Sequence, residues 1–146
     1  MTGAPVAFRN SNYTMPLKRA IIGTWRLLAY EVWSPEGTLH APLGDEPIGY
    51  AVFDLTGRAF IQLASHPIEP QAGAADGRQA SAASFAAYFG TYTVDAEQKK
   101  LAIQVEGSNR VPYIGSTQER VFTIEGDTLT MGQPGQYRAT LVRLIA

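Results

Sequence analysis

The spacing of its turns is the feature that most constrains the fold of this chain. Short runs of alternating apolar and polar residues recur along the sequence, and most are separated by hairpin-length connections rich in glycine, proline or aspartate. Such runs predict strands, because successive side chains of a strand point to opposite faces, and short turns make neighbouring strands antiparallel. Since closure removes the exposed edges of a sheet, we predict an all-β, closed antiparallel up-and-down barrel of about eight strands.

Turn residues set the boundaries of the predicted strands. Clear turn signals occur at residues 34–37, 54–57 and 125–127, where proline, aspartate or glycine favours the required backbone dihedrals. With the other connections, these signals predict strands over residues 24–33, 48–53, 58–64, 91–94, 101–106, 117–124, 128–131 and 137–145.

Two helical segments and one arm are also predicted. Residues 17–22 are expected to form a short helical turn before the first strand. Residues 80–89 are rich in alanine and carry aromatic residues at helical spacing, which predicts a short helix capping one mouth of the barrel. Residues 1–16 lack periodicity and are expected to be a flexible N-terminal arm, whereas residues 17–146 form one domain.

Composition excludes several classes of function. The chain has 146 residues, of which 12 are basic and 13 acidic, and the charges are scattered, so a nucleic-acid partner is not expected. No apolar run approaches the ~20 residues that cross a bilayer, and no export signal is recognisable, so we expect a cytoplasmic protein without a membrane span. The chain has no cysteine, His40 and His66 are isolated, and no glycine-rich phosphate loop occurs, so neither a metal nor a cofactor is predicted.

Gly23 directly precedes the first predicted strand, and Trp25 is its second residue. Glycine permits an entry into the strand that other residues cannot adopt, and Trp25 is a large apolar side chain suited to closing one end of a barrel. If Trp25 points inward, strict alternation makes Glu31 point inward as well. The full set of residues on this face is Trp25, Leu27, Ala29, Glu31 and Trp33.

Several motifs, taken in order, resemble the bacterial and fungal lipocalin-like domain family. They are GTWRL at 23–27, PLG at 42–44, IGY at 48–50, AYFGTY at 87–92, VEGS at 105–108 and ATLVR at 139–143. The resemblance spans about residues 20–145 and implies a small barrel with an apolar interior that holds a ligand. It also implies that Arg143 of the last strand lies across Trp25 as a structural closure of the barrel.

Two charged residues are candidates for catalysis. Glu31 would be a carboxylate in an apolar barrel, where loss of solvation raises a carboxyl pKa toward values useful for acid–base chemistry. Arg120 shares a strand face with apolar residues, and a buried cation requires a partner, which Glu31 or Glu106 could provide. The alternatives are that Glu31 is solvated near the strand end and that Arg120 forms a structural ion pair.

The candidate ligand-binding residues are mostly aromatic. Tyrosine rings supply apolar wall, and their hydroxyls offer hydrogen bonds to a ligand. Either face of the strand beginning at residue 101 could line the cavity, the polar one with Gln104 and Glu106 or the apolar one with Ile103 and Val105. The candidates are Trp33, Tyr50, Gln62, Tyr88, Tyr92, Gln104 and Tyr113.

Three interpretations of function follow. The first is a protein that binds a hydrophobic or aromatic small molecule inside the barrel. The second is a cofactor-free isomerase, cyclase or dehydratase that acts on a natural-product intermediate in secondary metabolism, with Glu31 moving the proton. The third is a partner-binding domain, such as a homodimer, whose interface would contain Leu28, Tyr30 and Val32.

Overall fold

The computed structural model describes residues 16–73 and 79–145. Within them the chain forms one helical turn, nine strands and one 3₁₀ turn at Val111–Tyr113. These elements are α1 (Leu17–Ala20), β1 (Gly23–Trp33), β2 (Leu39–His40), β3 (Ile48–Phe53), β4 (Arg58–Ala64), β5 (Phe85–Asp95), β6 (Lys100–Ser108), β7 (Thr117–Glu125), β8 (Thr128–Gln133) and β9 (Tyr137–Arg143).

Eight of the strands close into a barrel. The sheet order is β2-β1-β3-β4-β5-β6-β7-β8-β9, every pair is antiparallel, and β1 also pairs with β9. β2 is an additional strand of two residues that pairs only with the far end of β1. The predicted closed antiparallel barrel is therefore confirmed.

The predicted capping helix over residues 80–89 is wrong. Residues 81–84 form a turn, and the chain from Phe85 onward is strand β5, which pairs with β4 over seven residues. Alanine has the highest helix propensity, but propensity alone is a weak determinant of structure, and a long pairing with a neighbouring strand overrides it. The predicted N-terminal arm lies outside the described residues except for Pro16.

Helix α1 covers one end of the barrel, which we call the closed end. The Trp25 side chain is completely buried there, and its indole nitrogen donates to the Ile21 carbonyl at 2.9 Å. The Arg143 guanidinium lies 4.2 Å from the Trp25 ring centroid and donates to the carbonyls of Ile22 and Ala20. This is the contact that the resemblance implies, and it fastens α1 to the barrel.

Strand β1 carries a bulge at Leu28. Leu27 pairs with Leu141 on β9, and Ala29 pairs with Thr140, so Leu28 has no partner between them. A bulge inserts one extra residue into one strand of a pair, and counting in twos fails across it. The residues of β1 that point into the barrel are therefore odd-numbered before Leu28 and even-numbered after it.

The hairpin between β3 and β4 provides a pH-dependent test of the fold. Hydrogen bonds from the backbone N–H of Arg58 and from the hydroxyl and N–H of Thr56 lower the pKa of Asp54 from its usual 3.8. The charged form is thus favoured in the folded state. Its stabilising effect is present above the unfolded-state pKa and is lost as the pH falls through the lower folded-state pKa.

We expect the stability difference between the wild type and Asp54→Asn to shrink on acidification. Asparagine keeps an oxygen acceptor in the same turn and removes only the charge. Urea denaturation of both proteins, from neutral pH down to the lowest pH at which both fold, measures this difference. A difference that stays constant with pH would show that the charge of Asp54 does not matter.

Candidate functional site

A cavity of about 490 Å³ lies at the opposite end of the barrel, which we call the open end. Apolar side chains from five strands and two loops form most of its wall. This size and character suit one small organic ligand, because such sites are mostly apolar with a few polar groups. The apolar wall includes Val32, Leu43, Ile61, Leu63, Met131 and Ala139.

Four tyrosines and two arginines supply the polar part of the cavity. The rings of Tyr30 and Tyr137 lie 5.9 Å apart between centroids, and those of Tyr88 and Tyr113 lie 5.7 Å apart. Among the described lining residues, none is an aspartate or glutamate. The cavity therefore offers mainly hydrogen-bond donors, and its charged lining residues are all positive. The two arginines are Arg110 and Arg120.

Arg120 is held in place by its own strand and by a tyrosine ring. Its Nη2 atom donates to the Gln118 side-chain oxygen at 3.1 Å, and its Nη1 atom donates to the Glu119 carbonyl at 2.9 Å. The guanidinium carbon lies 5.2 Å from the centroid of the Tyr137 ring. Arg120 also shares the inward face of β7 with buried Phe122, as the sequence predicts. These contacts fix a cation at the cavity wall.

Burial raises the pKa of three cavity tyrosines. The effect is present at Tyr30, Tyr88 and Tyr137, and the positive charge of Arg120 opposes it at each of them. The phenols are thus neutral at physiological pH and act as hydrogen-bond donors. Tyr30, Tyr88 and Tyr137 line the same cavity as Arg120, and the guanidinium lies 5.2 Å from the Tyr137 ring centroid.

Two buried polar atoms of the cavity residues have no hydrogen-bond partner among the described residues. They are the Tyr137 hydroxyl oxygen and the Nε atom of Arg110. Most buried polar atoms in folded proteins are paired, because an unpaired one costs about 1–3 kcal/mol. A ligand that reaches both groups would remove this cost.

The prediction that Glu31 shares the interior with Trp25 is wrong. The bulge at Leu28 places Glu31 on the outer surface, where its carboxylate accepts two hydrogen bonds from Arg138 at 2.8 and 3.1 Å. Arg138 also stacks on Trp33, which shares the outer face. The expected partnership of Glu31 with Arg120 is replaced by this outer ion pair.

Only part of the predicted ligand set reaches the cavity. Tyr88 and Tyr113 line it. Tyr92 lies at the closed end, where its hydroxyl donates to the Asp54 carbonyl at 2.9 Å. Gln104 is exposed on the outer face of β6, because the apolar residues of that strand point inward.

The remaining members of the predicted set lie outside the barrel. Tyr50 and Gln62 border an outer groove of about 330 Å³. This groove forms where β1 separates from β3 after Arg26. These two side chains and Trp33 face outward from the barrel, so they do not contact a ligand in the cavity.

The sequence reasoning missed three of the six polar residues that line the cavity. Tyr30 was assigned to an outer interface with Val32, and the bulge moves both of them inward. Tyr137 had a usable signal, because counting in twos from Arg143 along the regular strand β9 reaches it. No sequence signal marked Arg110, because it follows strand β6 in a loop whose path the sequence does not reveal.

The outer position of Glu31 leads to a stability prediction. We expect Glu31→Gln to lower the free energy of unfolding by about 1 kcal/mol, because the ion pair is partly exposed and glutamine still accepts a hydrogen bond from Arg138. Its effect on ligand affinity should be negligible. Urea denaturation and ligand titration of the variant measure the two quantities, and a large loss of affinity would place Glu31 in the binding site after all.

An eight-stranded antiparallel barrel with room for one small ligand defines a class of protein that includes the lipocalins. A sequence profile of the lipocalin-like domain matches residues 22–140. The chain therefore belongs to the lipocalin-like domain family, as its motifs suggested.

Other comparisons add little to this assignment. No curated protein matches the chain. A matching solved structure is that of an uncharacterized protein from Bacteroides eggerthii DSM 20697, at 12% identity and a TM-score of 0.49. The match covers 85% of this chain and 99% of that one. In the described part of this chain, none of the helices has the length and apolarity needed to cross a membrane.

Proposed function

We propose that this protein binds a hydrophobic or aromatic small molecule in the cavity at the open end of the barrel. The observation that carries the proposal is a cavity of about 490 Å³ whose wall is mostly apolar and also contains four tyrosines and two arginines. Burial of the ligand's apolar surface would supply most of the affinity. The tyrosine hydroxyls and the guanidinium would orient the ligand.

Binding is favoured over acid–base catalysis by the chemistry of the lining residues. The Glu31 mechanism needs a carboxylate beside the ligand, and Glu31 is paired with Arg138 on the outer surface. The neutral tyrosines and Arg120 can stabilise a negative oxygen, but they are poor proton acceptors at physiological pH. An isomerase, cyclase or dehydratase acting here would need a base from outside the described lining.

The proposal is tested by blocking the cavity with one side chain. Ala86 lines the cavity, whereas the next residue, Ala87, pairs with exposed Gln62 on the outer face. We expect Ala86→Trp to weaken binding of the neutral dye Nile red at least about tenfold, a loss of ~1.4 kcal/mol. Ala87→Trp is the matched control and should bind the dye like the wild type.

Fluorescence titration of the dye measures both affinities, and circular dichroism confirms that the variants fold. Equal affinities in the wild type and both variants would place the dye elsewhere and contradict the proposal. The most obvious other location is the exposed pair Phe60 and Phe89, whose rings stack on the outer surface 6.5 Å apart.

A further inference from the structure

We propose that the ligand carries a carboxylate and that Arg120 binds this group inside the cavity. The inference rests on the proposed function, because it names the polar end of the molecule whose apolar part fills the barrel. Three observations support it: the unused donors of Arg120, the absence of acidic lining residues in the described chain, and the two unpaired donors nearby.

Some N–H donors of Arg120 have no hydrogen-bond partner among the described residues. A guanidinium carries five N–H donors; the hydrogen bonds to Gln118 and Glu119 use two of them, and a side-chain contact with the Tyr88 hydroxyl engages a third. Those two bonds and the Tyr137 ring hold the group at the wall without neutralising it. The planar fork of a guanidinium matches the two oxygens of a carboxylate, which it binds more strongly than a neutral acceptor.

The charge of Arg120 has no acidic partner among residues 16–73 and 79–145. Within these residues the ion pairs join Arg138 to Glu31 and Arg143 to Asp127, and both lie away from the cavity. A half-buried cation is costly unless an opposite charge lies near it. An anionic ligand would supply that charge.

Two further polar groups of the cavity residues lack a hydrogen-bond acceptor within the described part of the chain. The Tyr137 hydroxyl and the Arg110 Nε atom are buried donors without a described partner. Arg110 is already fastened at the rim, where its Nη2 atom donates to the Ala82 carbonyl at 2.8 Å. An ionised carboxylate is acceptor-only and can receive about four hydrogen bonds, so it complements this set of donors. A ligand hydroxyl or amine would add donors where donors already predominate.

The test compares two ligands that differ only in charge. Naphthoate and naphthamide share one aromatic body and a planar head group of similar size, and only naphthoate is an anion at neutral pH. Isothermal titration calorimetry gives their affinities for the wild type and for Arg120→Met. The matched control is Arg138→Met, because Arg138 also stacks on an aromatic ring but faces outward.

We expect the wild type to bind naphthoate at least about tenfold more tightly than naphthamide. Arg120→Met should weaken naphthoate binding about 10- to 100-fold, the usual range for a hydrogen bond to a charged group, and leave naphthamide binding nearly unchanged. Arg138→Met should affect neither. Tyr137→Phe, which keeps the ring, should weaken naphthoate binding roughly 2- to 10-fold.

The outcomes separate this inference from the proposed function. Equal binding of both compounds, unchanged by Arg120→Met, would overturn the carboxylate assignment and leave the cavity as a site for neutral molecules. If neither compound binds while Nile red still binds in the cavity, as judged by Ala86→Trp, the carboxylate assignment is overturned and the proposed function stands. If Nile red also fails to bind in the cavity, both proposals are overturned. Should Arg120→Met fail to fold, Arg120→Gln and Tyr137→Phe provide the same comparison.

Discussion

Replacing Trp25 by alanine is expected to lower the free energy of unfolding by about 3–5 kcal/mol, the usual cost of removing a buried aromatic ring. The Trp25 side chain is fully buried at the closed end, donates to the Ile21 carbonyl and lies under Arg143. Its removal leaves a cavity and also removes one of the contacts that hold the end of α1 against the barrel. This loss is a large share of the 5–15 kcal/mol by which domains are usually stable.

Trp33 is the matched control for this change. It also lies against a guanidinium, with 5.1 Å from its ring centroid to the Cζ atom of Arg138, but on the outer surface. Because Trp33 is only half-buried, Trp33→Ala should cost clearly less, about 1–2 kcal/mol. Urea denaturation followed by circular dichroism measures both variants without depending on tryptophan fluorescence. Trp25→Phe serves if the alanine variant does not fold, and equal costs at the two positions would refute the assignment of the closed end.

The barrel was predictable because its strands are set by local signals. The hairpin of β3 and β4 begins and ends at the predicted residues, since a clear turn at 54–57 separates two runs of regular alternation. When short turns make successive strands antiparallel, few sheet topologies are possible, and a closed up-and-down barrel is the simplest of these. The structure was needed for the two-residue strand β2, for the first half of β5, where the sequence predicted a helix over residues 80–89, and for the exact ends of the longer strands.

The candidate site was less predictable because the bulge at Leu28 exchanges the inward and outward positions in the second half of β1. Nothing in the sequence of β1 marks Leu28 as a bulge, since leucine also occurs at regular positions. The consequence is large, because Glu31 and Trp33 move outside while Tyr30 and Val32 enter the cavity.

Alternation predicted the inner face correctly on β7 but not on β3 and β4, where Tyr50 and Gln62 were expected in the cavity and face outward. Arg120 was placed on the inner face of β7 from the apolar residues that follow it, and the structure agrees. The loop that carries Arg110 and Tyr113 lay beyond such counting, because its path depends on contacts with distant residues such as Ala82. The polar end of the cavity therefore needed tertiary information.

A second large effect is expected at Gly90, which lies inside the barrel on β5. Opposite it, β6 also has a bulge, because Phe89 pairs with Gly107 while Gly90 pairs with Val105. This arrangement presses the β6 backbone against Gly90, and a Cβ there would overlap the Gln104 carbonyl oxygen and lie 2.8 Å from its carbon. Backbone atoms paired in a sheet cannot move aside as a side chain can.

Gly90→Ala should therefore cost about 3 kcal/mol or more, at the upper end of the range for overpacking. It should also weaken dye binding, because the adjoining residue pairs hold the wall that carries Tyr88. The matched control is Gly107→Ala on the outer side of the same pair, where an added Cβ would meet the Phe89 ring at 2.5 Å. That ring is 46% exposed and can rotate away, so the control should cost about 1 kcal/mol or less. Urea denaturation and Nile red titration of both variants measure these effects, and similar losses at the two glycines would show that the β6 backbone does not confine Gly90.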